Sequence, residues 1–285
     1  MFLITTPRVT GRKVHQSLKD LIGIYLKSAE WNHTRTYAKI NNPISMDITS
    51  NYKIAPGIVL DDIKEIDNQH LRDCKAILEW NALTKGRNGV YSIYPDNATS
   101  IKVYCDMTTE GGGWTVIQRR FNGQTNFRRK WNDYKNGFGK PNKEYWLGND
   151  VIHTLTSRRN QELRIDLGKF TGSKVYAKYT NFSVASGAKK YQLSISGYTG
   201  NAGDMMIRAY NLNGMYFTTI DRDNDQNGRN CAVNHHTGGW WYGNCAHSDL
   251  NGVYATSNKR NDKFLFWGTN DENMKTTKMM IRSKN

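Results

Sequence analysis

Three aspartates alternate along the chain, Asp221, Asp223 and Asp225. Carboxylates at that density repel one another unless a cation neutralises them, and hard oxygen donors select Ca2+ over zinc or copper. An EF-hand loop opens in the same way but needs a bidentate Glu at its twelfth position. Counted from Asp221, that position is Ala232, so the EF-hand is excluded. An Asx-rich turn without metal is the competing reading. His235, His236 and His247 lie further on in a Gly-rich stretch. Imidazole binds zinc or copper, yet these three lack a defined ligand spacing and read as polar loop residues. Trp240, Trp241 and Tyr242 have faces that could stack on sugar rings, but large aromatics more often fill a core with the polar tip satisfied. The two tryptophans are read as core.

Other chemistries find no support. The chain has no GxSxG or HExxH motif, and Gly111, Gly112 and Gly113 are followed by neither Lys-Ser/Thr nor GxGxxG, so they read as a backbone turn. No enzyme is expected. The formal charge of +15 would favour a polyanion, and most of it lies in residues 73–285, with thirty Lys and Arg against eighteen Asp and Glu. The basic residues are scattered, with short clusters at Arg119-Arg120, Arg128-Arg129-Lys130 and Arg158-Arg159. Such runs are usually solvated faces, and without a helix-turn-helix or RNP-like pattern nucleic acid is not an expected partner. Sulfated or sialylated glycans remain a subsidiary ligand class, with binding that weakens as salt screens it.

The elements that must position these residues are legible in outline. With 285 residues, 38% hydrophobic, the chain can bury a sizeable core, and no window approaches the length of a membrane span. Residues 1–71 form an N-terminal extension of unassigned role. Ile63, Ile66, Leu71 and Leu78 recur at helical spacing over residues 61–79, which fits either a short coiled-coil remnant supporting a homo-oligomer or a helix packed on the adjoining C-terminal domain. Beyond Cys74, alternating runs separated by turn residues predict antiparallel strands at 90–94, 101–104, 114–119, 162–167, 175–182 and 191–198, with helices near 149–156 and 204–210. From Asn211 to Asn251, Gly, Asn, Asp and Trp dominate, and so long an irregular stretch needs a metal, disulfide or ligand to organise it.

Cys74, Cys105, Cys231 and Cys245 include no CxxC, and two local disulfides are a simpler reading than a zinc site. Sequons at Asn32, Asn97 and Asn181 agree with a secretory route. The first residues lack the apolar core of a signal peptide, so the sequence is expected to begin inside a secreted, extracellular precursor.

Several runs in order carry a family likeness: Cys74, GVYSIYP from Gly89, VYCDM from Val103, GGGWTVIQRR from Gly111, DRDND from Asp221, NCA from Asn230, GWWY from Gly239, Asn244-Cys245, LNGVY from Leu250 and KMMIR from Lys278. Together they resemble a fibrinogen C-terminal-like domain, the recognition domain of ficolins, tachylectin-like lectins, tenascins and angiopoietins. The likeness spans about residues 72–283 and implies a domain over 72–285. It implies an α+β globe: a small N-terminal disulfide-closed part, a central twisted antiparallel sheet with short helices, and a loop-rich calcium-binding C-terminal part. It also implies the pairs Cys74 with Cys105 and Cys231 with Cys245.

For calcium the resemblance implies carboxylates from Asp223 and Asp225 and backbone carbonyls from Asn227 and Arg229, with Asp221 holding the loop from outside. Two carboxylates place the affinity at roughly 10⁻⁴ to 10⁻³ M. It further implies a funnel for an acetyl group, drawn from His235, Tyr242, Asn244, Cys245, Ala246 and His247, with a cis Asn244-Cys245 peptide. Two departures bear on that funnel: Ala246 stands where acetyl-binding members commonly have His, and His235 where they have an aromatic. Downstream, Asn258, Lys259 and Arg260 replace a Tyr-Ala pair. The expected function is therefore a secreted, calcium-dependent, lectin-like module for acetylated or acidic glycans in innate immunity. The alternative is a protein-binding matrix or signalling module, which Ala246 favours.

Overall fold

Asp73 begins the first helix by accepting the Ala76 N–H at 2.8 Å, and α1 runs Cys74–Trp80 until Asn81 turns extended. The computed structural model describes residues 71–208, 211–259, 261–268 and 273–284. The extension, the Asn32 sequon, Arg260 and the first part of the predicted 61–79 helix lie outside the described residues.

The alternating runs become strands β1 (Gly89–Ile93), β2 (Ile101–Asp106) and β3 (Trp114–Arg120), then the short β4 (Phe138–Gly139) and β5 (Tyr145–Trp146). Longer strands come next, β6 (Gln161–Lys169), β7 (Lys174–Val184) and β8 (Leu193–Gly200), and β9 (Ser248–Asp249), β10 (Phe266–Trp267) and β11 (Met274–Ser283) complete the set. The main sheet is antiparallel in the order β1-β2-β3-β11-β6-β7-β8, with β4 and β5 attached to β3. The last strand thus sits at the centre, inserted between β3 and β6. β6 shows the period of two that builds such a sheet: Leu163, Ile165 and Leu167 are buried while Glu162, Arg164 and Asp166 face outward. The turn at 111–113 has positive φ throughout, and a Cβ at Gly112 would stand 2.4 Å from the Met107 carbonyl oxygen.

Helix α3 (Asn149–Ser157) packs on β7, and α2 (Trp131–Asn136) packs on α3. Trp131, Tyr134, Trp146, Phe217 and Trp241 meet there in edge and tilted contacts. Trp240 and Trp241 are fully buried, and the Trp241 indole N–H donates to the Tyr191 carbonyl at 2.8 Å. The predicted helix at 204–210 is instead a turn over 205–207. The Asp204 carboxylate accepts the Tyr179 hydroxyl and the Ile207 and Met206 N–H groups, the bonds of a helix N-cap, but the chain continues only as a turn. Residues 209 and 210 lie outside the described set.

Two charged arrangements hold distant strands. On the outer face Lys278 reaches Asp106 at 2.6 Å and Asp166 at 3.0 Å, Lys178 reaches Glu110 and Glu162, and Arg282 reaches Glu162 at 2.7 Å. Inside, Arg120 and Glu144, 2% and 1% exposed, stand 3.9 Å apart. Burial pushes the Asp106 pKa up, but the Lys278 hydrogen bond and the Thr109 N–H outweigh it and hold it far below the usual carboxylate range. Because its pKa is depressed in the folded state, its stabilisation is complete above the unfolded carboxylate value of about 4. The stabilisation is lost as pH falls below that value toward the depressed folded pKa. Asp106→Asn is therefore expected to flatten the fall in urea midpoint between about pH 4 and 2. An acid limb as steep as wild type would show that Asp106 is not its source.

Candidate calcium loop and adjoining ligand turn

The loop after Ile220 organises itself. Asp223 accepts the Asp225 N–H, Asp225 the Asn227 N–H, and Asn227 the Arg229 N–H, at 3.3, 3.0 and 3.0 Å. Each is an Asx turn reaching two residues on. The second Asp225 oxygen accepts the Cys231 N–H at 2.8 Å, at the start of α4 (Cys231–Asn234). The coil is thereby tied to the disulfide joining Cys231 to Cys245. The other disulfide joins Cys74 to Cys105.

Asp221 faces away from this ladder. Its carboxylate accepts the Trp131 N–H and the Thr219 hydroxyl, both at 2.8 Å, so it fastens the loop to α2. Two residues outside the predicted set also anchor the loop. The Asn224 amide donates to the Phe217 carbonyl, and the Asn230 amide to the Thr219 carbonyl. An Asn between aspartates was the available signal, but its partner cannot be read from its type.

The carboxylates of Asp223 and Asp225 form no ion pair with Lys or Arg among the described residues. Burial pushes the Asp225 pKa up, the Cys231 and Asn227 N–H groups hold it down, and Asp223 pushes it up again, for a net rise. Backbone N–H groups reach both Asp225 oxygens and Asp223 Oδ1, and each carboxylate keeps further lone pairs. An acidic pair of an exposed Asp223 and a half-buried Asp225, lacking a cationic side chain, is a donor set that fits Ca2+. Among the described residues no three His, Cys, Asp or Glu cluster in a way that could hold a metal, so the set depends on carbonyl and water oxygens as well.

The loop is sewn to the turn at 243–245. Gln226 donates its N–H to the Gly243 carbonyl at 3.0 Å, and the Asn227 amide donates to Asn244 Oδ1 at 2.5 Å. Asn244 and His235 are exposed, and Cys245 and His247 are half-buried. Tyr242 and Ala246 are different. Tyr242 is fully buried, its hydroxyl donates to the Gly238 carbonyl and Asp249, and its ring stacks on His236 at 5.0 Å. It supports the turn from within and presents no face to a ligand, a correction to the expected funnel. Ala246 is 9% exposed and brings no polar group. The peptide joining Asn244 to Cys245 is trans, as are all described peptide bonds, which corrects the expected cis geometry. The chain reverses instead through a left-handed φ of 59° at Cys245, closed by the Gly243 N–H on the Cys245 carbonyl at 3.0 Å.

His236 is buried between Tyr242 and Phe266, with Nδ1 against the Asp262 carbonyl at 2.8 Å. Asn258 and Lys259 are exposed, as are the sequon residues Asn97 and Asn181. Removing the late disulfide with Cys231→Ser and Cys245→Ser is expected to lower unfolding free energy by about 3 kcal/mol in urea titrations. A loss under about 1 kcal/mol would mean that the hydrogen bonds alone hold the loop to the turn.

The fold is an antiparallel sheet with a long loop region before β11, tied by a local disulfide around an acidic pair. The family model for fibrinogen beta and gamma chains, C-terminal globular domain, matches residues 70–284, and the chain belongs to that family. Human fibroleukin is 42% identical over 234 residues, covering 76% of this chain and 52% of the relative. The fibrinogen-like globe domain of human ANGPTL2 superposes with a TM-score of 0.70 at 39% identity, over 75% of this chain and 100% of that one. Lamprey fibrin D-dimer, complexed with the peptide ligand Gly-His-Arg-Pro-amide, gives 0.68 at 27% identity, over 95% and 89%. The chain spans about half the length of the curated relatives it matches.

Proposed function

We propose that this protein is a secreted recognition module in which Ca2+, held by Asp223 and Asp225 with the carbonyls of Asn227 and Arg229, stiffens the 243–247 turn for a protein or peptide ligand. The observation that carries this reading is the seam between loop and turn: Gln226 to Gly243, Asn227 to Asn244, and Cys231 to Cys245. A cation that orders the first segment also orders the second, because each residue fixed beforehand lowers the entropy lost on binding.

The choice of a protein ligand over an acetylated glycan rests on what the turn presents. Tyr242, Trp240 and Trp241 are buried, so none of these rings offers a stacking face, and Ala246 supplies no polar contact. The peptide bound by the lamprey relative is in keeping with this choice. The acetyl-lectin reading keeps His235, Asn244 and His247 as polar contacts at the surface.

The two readings separate on an N-acetylglucosamine resin in millimolar Ca2+, with elution by free sugar and separately by EDTA. The protein reading expects passage through the resin, while calorimetry of the same sample reports calcium binding at roughly 10⁻⁴ to 10⁻³ M. Retention reversed by both eluants would replace it with a calcium-supported lectin. Absence of calcium binding by folded protein would remove the metal from either reading.

A further inference from the structure

The ion pairs on the outer face leave the excess positive charge elsewhere. Arg164, Lys178, Lys278 and Arg282 are each matched by Asp106, Glu110, Glu162 or Asp166. A different set is unmatched. Arg158 and Arg159 come after α3 and are exposed, Lys284 comes after β11, and Arg72 precedes α1. Among the described residues none of these four side chains forms an ion pair.

The fold gathers them. The Lys284 N–H donates to the Asn160 carbonyl, and Lys75 Nζ to the Ser283 carbonyl, both at 2.9 Å, so the end of β11, the turn after α3 and the first turn of α1 come together. They border an open depression of about 340 Å3 lined by Lys75, Glu79, Arg159, Asn160 and Lys284. Arg72 lies within the field of Arg158 and Arg159, and its Nε is buried without a hydrogen-bond partner. Burial first, then the two arginines, lower its pKa against the opposing pull of Asp73. Like charges around an unpaired donor are unfavourable until an anion enters.

We infer that this depression is an anion site for the sulfate groups of a sulfated polysaccharide, lined by Arg159 and Lys284, with Arg158 beside it in the chain and Glu79 engaged by Lys75. A guanidinium fork matches the oxygens of a tetrahedral oxyanion in pairs, which a lone ammonium cannot do. A glycan fits better than a membrane surface, because no apolar side chain at the depression would add insertion to the electrostatic attraction. The exposed large apolar residues, Val90, Tyr216, Val233 and Val253, do not line the depression. The site shares no residue with the calcium loop and works without Ca2+, so its fate is separate from the proposed function.

The test uses the full chain on immobilised heparin in EDTA. Wild type is expected to be retained at 0.15 M NaCl, and the triple variant Arg158→Ser, Arg159→Ser, Lys284→Ser to lose about 10-fold or more in affinity, with a shallower dependence on salt. A second triple, Lys102→Ser, Lys140→Ser, Lys143→Ser, removes the same charge from other exposed positions and is expected to change affinity less than about 2-fold. Both triples alter exposed side chains, and matching thermal midpoints would show that they fold. Equal losses from the two would reduce the site to diffuse attraction and overturn the proposal. So would absence of retention, or tighter capture by phosphatidylserine vesicles than by heparin.

Discussion

Glu144→Ala is expected to destabilise the globe by about 3 to 5 kcal/mol. Glu144 Oε1 accepts the N–H groups of Phe121, Asn122 and Gly123 at 2.7 to 2.9 Å, and Oε2 accepts that of Thr125 at 3.0 Å. One carboxylate therefore shapes the whole turn after β3. Its charge also balances Arg120, which donates to the carbonyls of Leu250 and Gly252 and covers the Phe127 ring at 3.9 Å. Truncation strands a buried guanidinium and several backbone donors at once, and both penalties fall on the folded state. Arg120→Met separates them, since it leaves the N–H groups satisfied and replaces the cation with an apolar chain. The double variant should lose less than the sum of the two single losses in urea titrations. Strict additivity would show that the two residues act independently.

The second large effect is on metal response. Wild type in about 2 mM Ca2+ should gain roughly 1 to 2 kcal/mol for a dissociation constant near 10⁻⁴ M, a rise in Tm of about 2 to 6 °C. Asp225→Asn should abolish that rise. Asparagine keeps one oxygen for the Asx turn to Asn227 but loses the bond to the Cys231 N–H and the charge, so metal-free stability falls slightly while attraction for a cation fails. Asp221→Ala should behave in the opposite way. It loses the tie to Trp131 and Thr219, lowering stability with or without metal, while the calcium-dependent rise persists. A full rise in Asp225→Asn would place any calcium elsewhere, and loss of the rise in Asp221→Ala would bring Asp221 into direct contact with the ion.

The contrast between these aspartates marks how far the chain could be read unaided. Alternation along 161–169 and 174–184 announces strands because near neighbours decide which face each residue takes. The 223–229 ladder is equally local, each side chain bonding two residues ahead, so its Asp and Asn spacing carries the geometry directly. The segment at 204–210 misled because its apolar residues suit a helix, while Asp204 binds Tyr179, twenty-five residues away in the chain, and holds a turn.

By itself, then, the sequence determined the family and its α+β globe through the resemblance of motifs in order, and the antiparallel strands and an acidic loop suited to a hard cation through spacings of a few residues. Only the tertiary structure decided that Tyr242 points inward to Gly238 and Asp249, that a left-handed Cys245 turns the chain, and that Asn227 clasps Asn244. It also decided that Arg72, Arg158, Arg159 and Lys284 share one neighbourhood while other basic residues are neutralised across the sheet. The physical reason is the range of the interactions. Backbone preference and Asx turns are settled within a few residues, whereas the facing of a loop side chain and the balance of charge depend on partners that only the folded chain brings near.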